Sequence, residues 1–409
     1  MKKKKQTTSV KKEEVSKTKS AEDNREIVLV AVTGMSPAVL TETVWALAHP
    51  EDSDAKEPII PHRVVVLTTA IGRREISDAL FAPNSRFGNK TVWETLREQL
   101  EKEGLPVKDR LRFGTTGDDI RVFTKSDPYT NRSIELDDIR TPEDNEAAAD
   151  FILDHLRAFV EDPDKIVIGS LAGGRKTMSA LIYACFSLIG RDSDRLTHVL
   201  VNEPFDQLRE FFFPAQPGGV LTHRDGGKFD PADARIQLAD IPFVPLRYAF
   251  LREFARPPGG FMRLVEFCNA NVRQRIGESI RLTISTTTRE IEVNGHRIQT
   301  SPREHCLLLF LARRAKDNEQ PFGKYYESIE PLNEFRKQLI QQADPKSFND
   351  WRSTDTLKTD INEEDLRKLI SSIREKARRL GGDAALFAQV LPERGKFALH
   401  VPGSMIYIK

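Results

Sequence analysis

The chain has 409 residues, with 39% hydrophobic and 30% charged side chains and a formal charge of +1, so it is globular rather than disordered and long enough for two domains, each able to bury its own core. No stretch approaches the run of about 18 apolar residues that a membrane helix needs, and the three cysteines, Cys185, Cys268 and Cys306, lie far apart in apolar surroundings. They read as buried thiols in a reducing compartment, neither a disulfide framework nor a metal cluster, which with the missing secretory leader gives an expectation of a cytoplasmic protein.

Residues 1–24 open with eight Lys against two Glu in the first twenty positions. Such a tail is a solubilising disordered leader or an arm that holds nucleic acid non-specifically. From Ile27 to Val32 a β-branched run predicts a strand, followed by a Gly-containing turn and an amphipathic helix. A second strand is expected at 62–69 and a helix at 91–104, with Gly104 placed to stop it. The polar stretch 114–146 is too long for a simple connection and suggests a lid or insertion. A further helix, a strand at 165–170, another helix and a strand at 196–202 complete the series. The repeated strand–helix rhythm predicts an α/β fold with a mostly parallel sheet covered by helices on both faces.

In such a sheet, ligands settle beyond the carboxyl ends of the strands. Two segments fall there: Thr33-Gly34-Met35-Ser36-Pro37 after the first strand, and the run from Ser170 through Gly173, Gly174, Arg175, Lys176 and Thr177 after strand 165–170. Each is either a Gly turn joining strand to helix or a cradle for an anion, with glycines for close backbone approach and Arg175 and Lys176 for charge. Neither has the GxxxxGK[ST] spacing of a nucleotide triphosphate loop, and no GxGxxG follows the first strand, which argues against a dinucleotide cofactor. Thr69 and Arg73, Thr115, and Asn202 stand after other strands and are weaker candidates for the same crevice. No His pair shows ligand spacing, so neither a metal nor a cofactor is expected.

The residues 217–230 read as a loop or short hairpin, and 231–280 as mainly helical, with 251–280 a linker or a dimerisation segment. From 281 onward the pattern changes to α+β. Two short strands flank Asn294-Gly295, and a helix begins at Ser301-Pro302 with Glu304 in capping-box position. After a long polar stretch, 316–359, comes a basic amphipathic helix, then two expected strands around Gly395.

The segments VLVAVTGMSPAVLTETVWAL, VVVLTTAIGR, DIRTPEDNEAAADFI and IVIGSLAGGRKTMSALIYA resemble the CARF domain, the CRISPR-associated Rossmann-like fold, in its type III ring nuclease branch, over about residues 25–250. The resemblance implies a homodimer whose cleft binds cyclic oligoadenylate, with cyclic tetra-adenylate suiting a two-fold dimer. It further implies cleavage without a metal, in which Ser36 orients and Lys176 stabilises charge, leaving 2′,3′-cyclic phosphate ends and attenuating type III signalling. Residues 281–409 resemble a winged-helix domain of response-regulator type, which implies duplex DNA as a partner through Arg374, Arg378 and Lys396. A cyclic oligoadenylate-responsive transcription regulator without turnover, or a domain that docks on protein, are the alternatives.

Overall fold

A computed structural model describes residues 25–409 apart from 52–56, 128, 251–258, 345, 348 and 394. The basic tail 1–24 and the first part of the 251–280 segment therefore lie outside the described residues. The chain divides into two compact units, Met1–Leu264 and Val265–Lys409.

The first unit runs β1 (Glu26–Val32), α1 (Ala38–Ala48), β2 (Arg63–Thr68), α2 (Ala70–Ile76), α3 (Val92–Lys102), β3 (Ile120–Val122), β4 (Thr124–Ser126), β5 (Ser133–Glu135), α4 (Pro142–Val160), β6 (Lys165–Ser170), α5 (Lys176–Ile189), β7 (Arg195–Val201), β8 (Leu221–Thr222), β9 (Lys228–Phe229) and β10 (Ile236–Asp240). Its six-stranded sheet has the order β10-β7-β6-β1-β2-β3, parallel except for β10. Val28 to Val32 are fully buried, as a strand covered on both faces must be. Leu29, Ala31, Val64 and Val66 join the apolar cluster of α1 and α3. The alternate residues Val28, Val30, Val65 and Leu67 are as fully buried on the opposite side.

The strand order matters for function. The chain moves outward from β1 to β2 and β3, then returns to lay β6 on the other flank of β1, in register with Ala31 beside Ser170. Strands leaving β1 in opposite directions open a crevice between the loops that follow β1 and β6, the usual ligand site of such sheets.

The polar stretch 114–146 supplies edge strand β3, the β4–β5 hairpin and the start of α4, where Thr141 and Asp144 form a capping box. Within the described residues of 231–280, Ile236–Asp240 is not helix but a strand that pairs antiparallel with β7, and Phe261–Glu278 forms helix α6.

The second unit contains β11 (Leu282–Ile284), β12 (Glu290–Val293), β13 (His296–Gln299), α7 (Pro302–Lys316), α8 (Ile329–Gln341), α9 (Asp355–Lys358), α10 (Glu363–Arg378) and β14 (Ile406–Ile408). Asn294 and Gly295, with φ of 49° and 83°, make the expected tight turn between β12 and β13. The α7 start is as its sequence predicts: Ser301 accepts from the Glu304 amide, and the Glu304 carboxylate accepts from the Ser301 amide. The ending differs. The two strands expected around Gly395 reduce, among the described residues, to isolated bridges of Glu393 with Lys396 and of Phe397 with Phe322, and the terminal strand β14 runs parallel to β11.

Candidate functional site

The crevice is built by backbone meeting backbone. A Cβ on Gly34 would lie 3.2 Å from the Cα of Gly174, so the loops after β1 and β6 touch at two glycines. Gly72 in α2 closes the third side: a Cβ there would meet Thr68 Oγ1 at 2.0 Å and the Gly34 carbonyl at 3.1 Å. Thr68 in turn donates to the Thr33 carbonyl at 2.5 Å.

Helix ends give the crevice its charge preference. Among the described residues of the first unit, α2, α3 and α4 have their first amides capped by Thr69, Thr91 and Thr141. The two helices that begin at the crevice do not: α1 starts at Pro37 and α5 at Arg175, neither with a side-chain cap. Both helices begin within a few residues of the Gly34–Gly174 contact, and the positive ends of their dipoles, with no side-chain cap, favour an anion there.

The chain matches the family described as CRISPR-associated protein NE0113 (Cas_NE0113) over residues 36–259, more than half of its length. It belongs to this CRISPR-associated family. No curated protein gives a significant match. Among solved structures, "Enterococcus italicus Csm6 bound to cyclic hexa-2'-fluoro-hexa-dAMP" is similar at 13% identity over 88% of this chain and 81% of that one, with a TM-score of 0.26, too low to carry an argument. Among the described residues no helix is long and apolar enough to cross a membrane, and no group of three or more His, Cys, Asp or Glu is gathered for a metal ion.

Within this Cas_NE0113 member, the sequence candidates separate into a surface set and a buried set. Met35, Ser36, Gly174, Arg175, Lys176 and Thr177 are exposed around the crevice, Met35 by 72%. Lys176 and Ser36 make no side-chain hydrogen bond or ion pair with a described residue. Thr33, Thr69 and Ser170 are buried behind the loops. Their hydroxyls hold the scaffold: Thr33 Oγ1 donates to the Ser36 carbonyl at 3.3 Å, Thr69 caps α2, and Ser170 Oγ lies 3.5 Å from Thr43 Oγ1. Gly173 sits under Thr33 with φ of 92°. Thr115 is exposed in the loop that precedes β3, and Asn202 accepts from the Arg235 amide at 2.6 Å.

Two candidate cations are already engaged. Arg73 donates twice to Glu135, both at 2.7 Å, and Arg175 Nε donates to Asp138 Oδ1 at 2.7 Å. The Arg175 guanidinium holds the Asp138 carboxyl well below the usual carboxylate range. Both acids belong to the stretch running from β5 to α4, which thus borders the crevice. Sequence reasoning missed this bridge because its partners are 37 positions apart.

It also missed Glu42. Glu42 is 7% exposed and lines a cavity of about 560 Å³ together with Ser36, Gly173, His198, Asp206 and Phe205. Burial, with Asp206 adding repulsion, pushes its carboxyl up to about 7. A single acid in the otherwise uncharged α1 was the available signal.

In the second unit the cysteines are buried, as expected of all three. The basic helix α10 is largely neutralised. Arg367, Lys368 and Arg379 pair with Glu363, Glu364 and Glu375, and Lys376 donates to the buried Glu304 at 2.6 Å. Arg374 is half-buried and donates to the Pro392 carbonyl at 2.7 Å, whereas Arg378 and Lys396 are exposed.

Proposed function

We propose that this chain binds cyclic tetra-adenylate across a two-fold homodimer and opens the ring, attenuating type III CRISPR signalling in the cytoplasm. The observation that carries the reading is the start of two helices without side-chain caps within a few residues of the Gly34–Gly174 contact, beside exposed Ser36, Arg175 and Lys176. Membership of a CRISPR-associated family supports a nucleotide signal over other anions. A ring with two-fold symmetry lets each protomer present the same loops to one half. Residues 25–250 would form the ligand-binding domain, and 281–409 a separate output or docking domain.

The cleavage step balances without a co-reactant. A ribose 2′-hydroxyl oxygen bonds to the adjacent phosphorus, the bond from phosphorus to the 5′ oxygen breaks, and the proton lost from the 2′-hydroxyl ends on the departing 5′ oxygen. The products are a 2′,3′-cyclic phosphate and a 5′-hydroxyl. In this scheme Lys176 counters the charge that grows on the phosphoryl oxygens, and Ser36 holds the reacting sugar and phosphate in line.

The test is incubation of the full chain with radiolabelled cyclic tri-, tetra- and hexa-adenylate in EDTA. Linear products with cyclic phosphate ends, made by the wild type and lost with Lys176→Ala, support the proposal; retention of one intact ring makes the chain a sensor. The second reading, a regulator that reads duplex DNA, draws on the exposed Arg378 and Lys396. Arg374 supports it less, since its guanidinium is spent on backbone carbonyls of its own domain.

A further inference from the structure

Beneath the β1–α1 loop the cavity has apolar walls from Val39, Val199, Phe205 and Leu208, and it opens beside Ser36 and Gly173. Its volume of about 560 Å³ falls within the range of small-molecule sites, about 300–1,000 Å³. Glu42 projects from α1 into this space. Glu42 is a largely buried residue whose carboxyl lines the cavity and makes no hydrogen bond to a described residue. A site that combines these apolar residues with polar groups, among them a carboxyl without a protein hydrogen-bond partner, suits a ligand that is apolar on its faces and polar at its edges.

We propose that this cavity takes an adenine base of the bound ring, and that the Glu42 carboxyl reads its Watson–Crick edge. This rests on the ring-binding reading above and adds the residue that selects the base. Adenine presents one acceptor, N1, next to one donor, the 6-amino group. A protonated carboxyl matches it, the hydroxyl donating to N1 and the carbonyl oxygen accepting from the amine. An ionised carboxylate offers two acceptors and suits guanine instead, whose N1–H and 2-amino group both donate. The buried position of Glu42, which favours the protonated form near neutral pH, thus selects adenine. The other charged or titratable groups lining the cavity are Glu75 from α2, His198 from β7, and Asp206 and Arg209 from the segment after β7.

Binding of a cyclic tetra-adenylate analogue whose 2′-hydroxyls are replaced by hydrogen, so that it cannot be cut, tests the assignment in the full-length chain. Affinity is compared at about pH 6 and pH 8.5, a range over which phosphodiesters stay ionised and Glu42 changes state. The wild type is expected to bind about tenfold more weakly at the higher pH. Glu42→Gln keeps an acceptor and a donor at all pH values, so it should hold the low-pH affinity throughout. Glu42→Ala should bind about tenfold more weakly at pH 6, with thermal unfolding used to verify that it is folded. Unchanged affinity in folded Glu42→Ala, or an unaltered pH slope in Glu42→Gln, overturns the pocket assignment while leaving ring binding standing. A wild type that binds none of the tri-, tetra- or hexa-adenylate rings overturns the ring-binding reading and this assignment with it.

Discussion

Arg175 and Asp138 form an ion pair at the mouth of the crevice, with Arg175 Nε donating to Asp138 Oδ1 at 2.7 Å. On the proposed reading, Asp138 occupies the guanidinium that a phosphate of the ring would use. A carboxylate and a phosphodiester compete for the same fork of donors. Asp138→Asn removes the competing charge while keeping the side chain's shape, so ring affinity is expected to rise about three- to tenfold. The Arg175 side chain is about half exposed, so loss of the pair should change stability little. Equilibrium binding of the uncleavable ring measures the first effect and thermal unfolding the second. Weaker binding by Asp138→Asn would mean that Asp138 positions Arg175 for the ligand rather than withholding it.

Gly72 is expected to be intolerant of any side chain. The Cβ of Gly72→Ala would stand 2.0 Å from Thr68 Oγ1 and 3.1 Å from the Gly34 carbonyl, inside the contact that sets the β1 loop. Thr68 cannot rotate away without surrendering its hydrogen bond to the Thr33 carbonyl. Overpacking of this kind costs about 1–3 kcal/mol. The variant should therefore unfold at lower temperature and bind the ring more weakly, because the loop is displaced toward Gly174. Wild-type stability in Gly72→Ala would show that the loop yields freely.

Local signals in the chain were legible wherever one short-range interaction decides the structure. The β-branched run of β1, the Asn294-Gly295 turn and the Ser301–Glu304 capping box all form as their residues predict. Ile236–Asp240 was not, because a five-residue edge strand among prolines carries a weak pattern and is fixed by pairing with β7. The strands expected around Gly395 failed for a related reason: Phe397 pairs in an isolated bridge with Phe322, and Ile406–Ile408 finds β11, two distant partners that no local pattern announces. At the crevice the two Gly loops were visible as sequence, whereas Thr33, Thr69 and Ser170 looked like surface donors and lie buried, since a polar residue's facing depends on packing. Asp138 and Glu42 take their significance from tertiary neighbours.

Glu304 does two tasks at the start of α7, and its replacement separates them. It is 2% exposed, caps the helix through the Ser301 amide, and accepts from Ser372 Oγ and Lys376 Nζ, each at 2.6 Å. Burial raises its carboxyl's affinity for protons, but Lys376, Ser372 and the Ser301 amide outweigh burial and hold it below the ordinary glutamate value. With the folded value lowered, the stabilisation is present above about pH 4.5, the unfolded value, and is lost as pH falls through the folded one. Glu304→Gln keeps the size but not the charge, and should cost about 1–3 kcal/mol near pH 7. Comparing thermal midpoints of the two proteins at pH 7 and near pH 3 checks this: the gap should narrow in acid, and a gap independent of pH would assign the effect to shape alone.

Glu42 should leave the opposite signature in stability. Its folded value is raised from 4.5 to about 7 by burial and by Asp206, so between those values the folded chain holds a proton that the unfolded chain has released. Stability attributable to this site therefore falls as pH rises from about 4.5 to 7 and is level above, where both states are ionised. The accumulated penalty is on the order of 3 kcal/mol, taking about 1.4 kcal/mol per unit. Glu42→Gln cannot ionise and should be more stable than the wild type at pH 8 by a margin approaching that figure, with little difference near pH 4. Urea unfolding of both proteins at the two pH values, followed by circular dichroism, measures the margin without any ligand. A wild type and Glu42→Gln of equal stability at pH 8 would mean that the ionised carboxylate is solvated through the cavity, and the protonated state invoked for adenine would lose its physical basis.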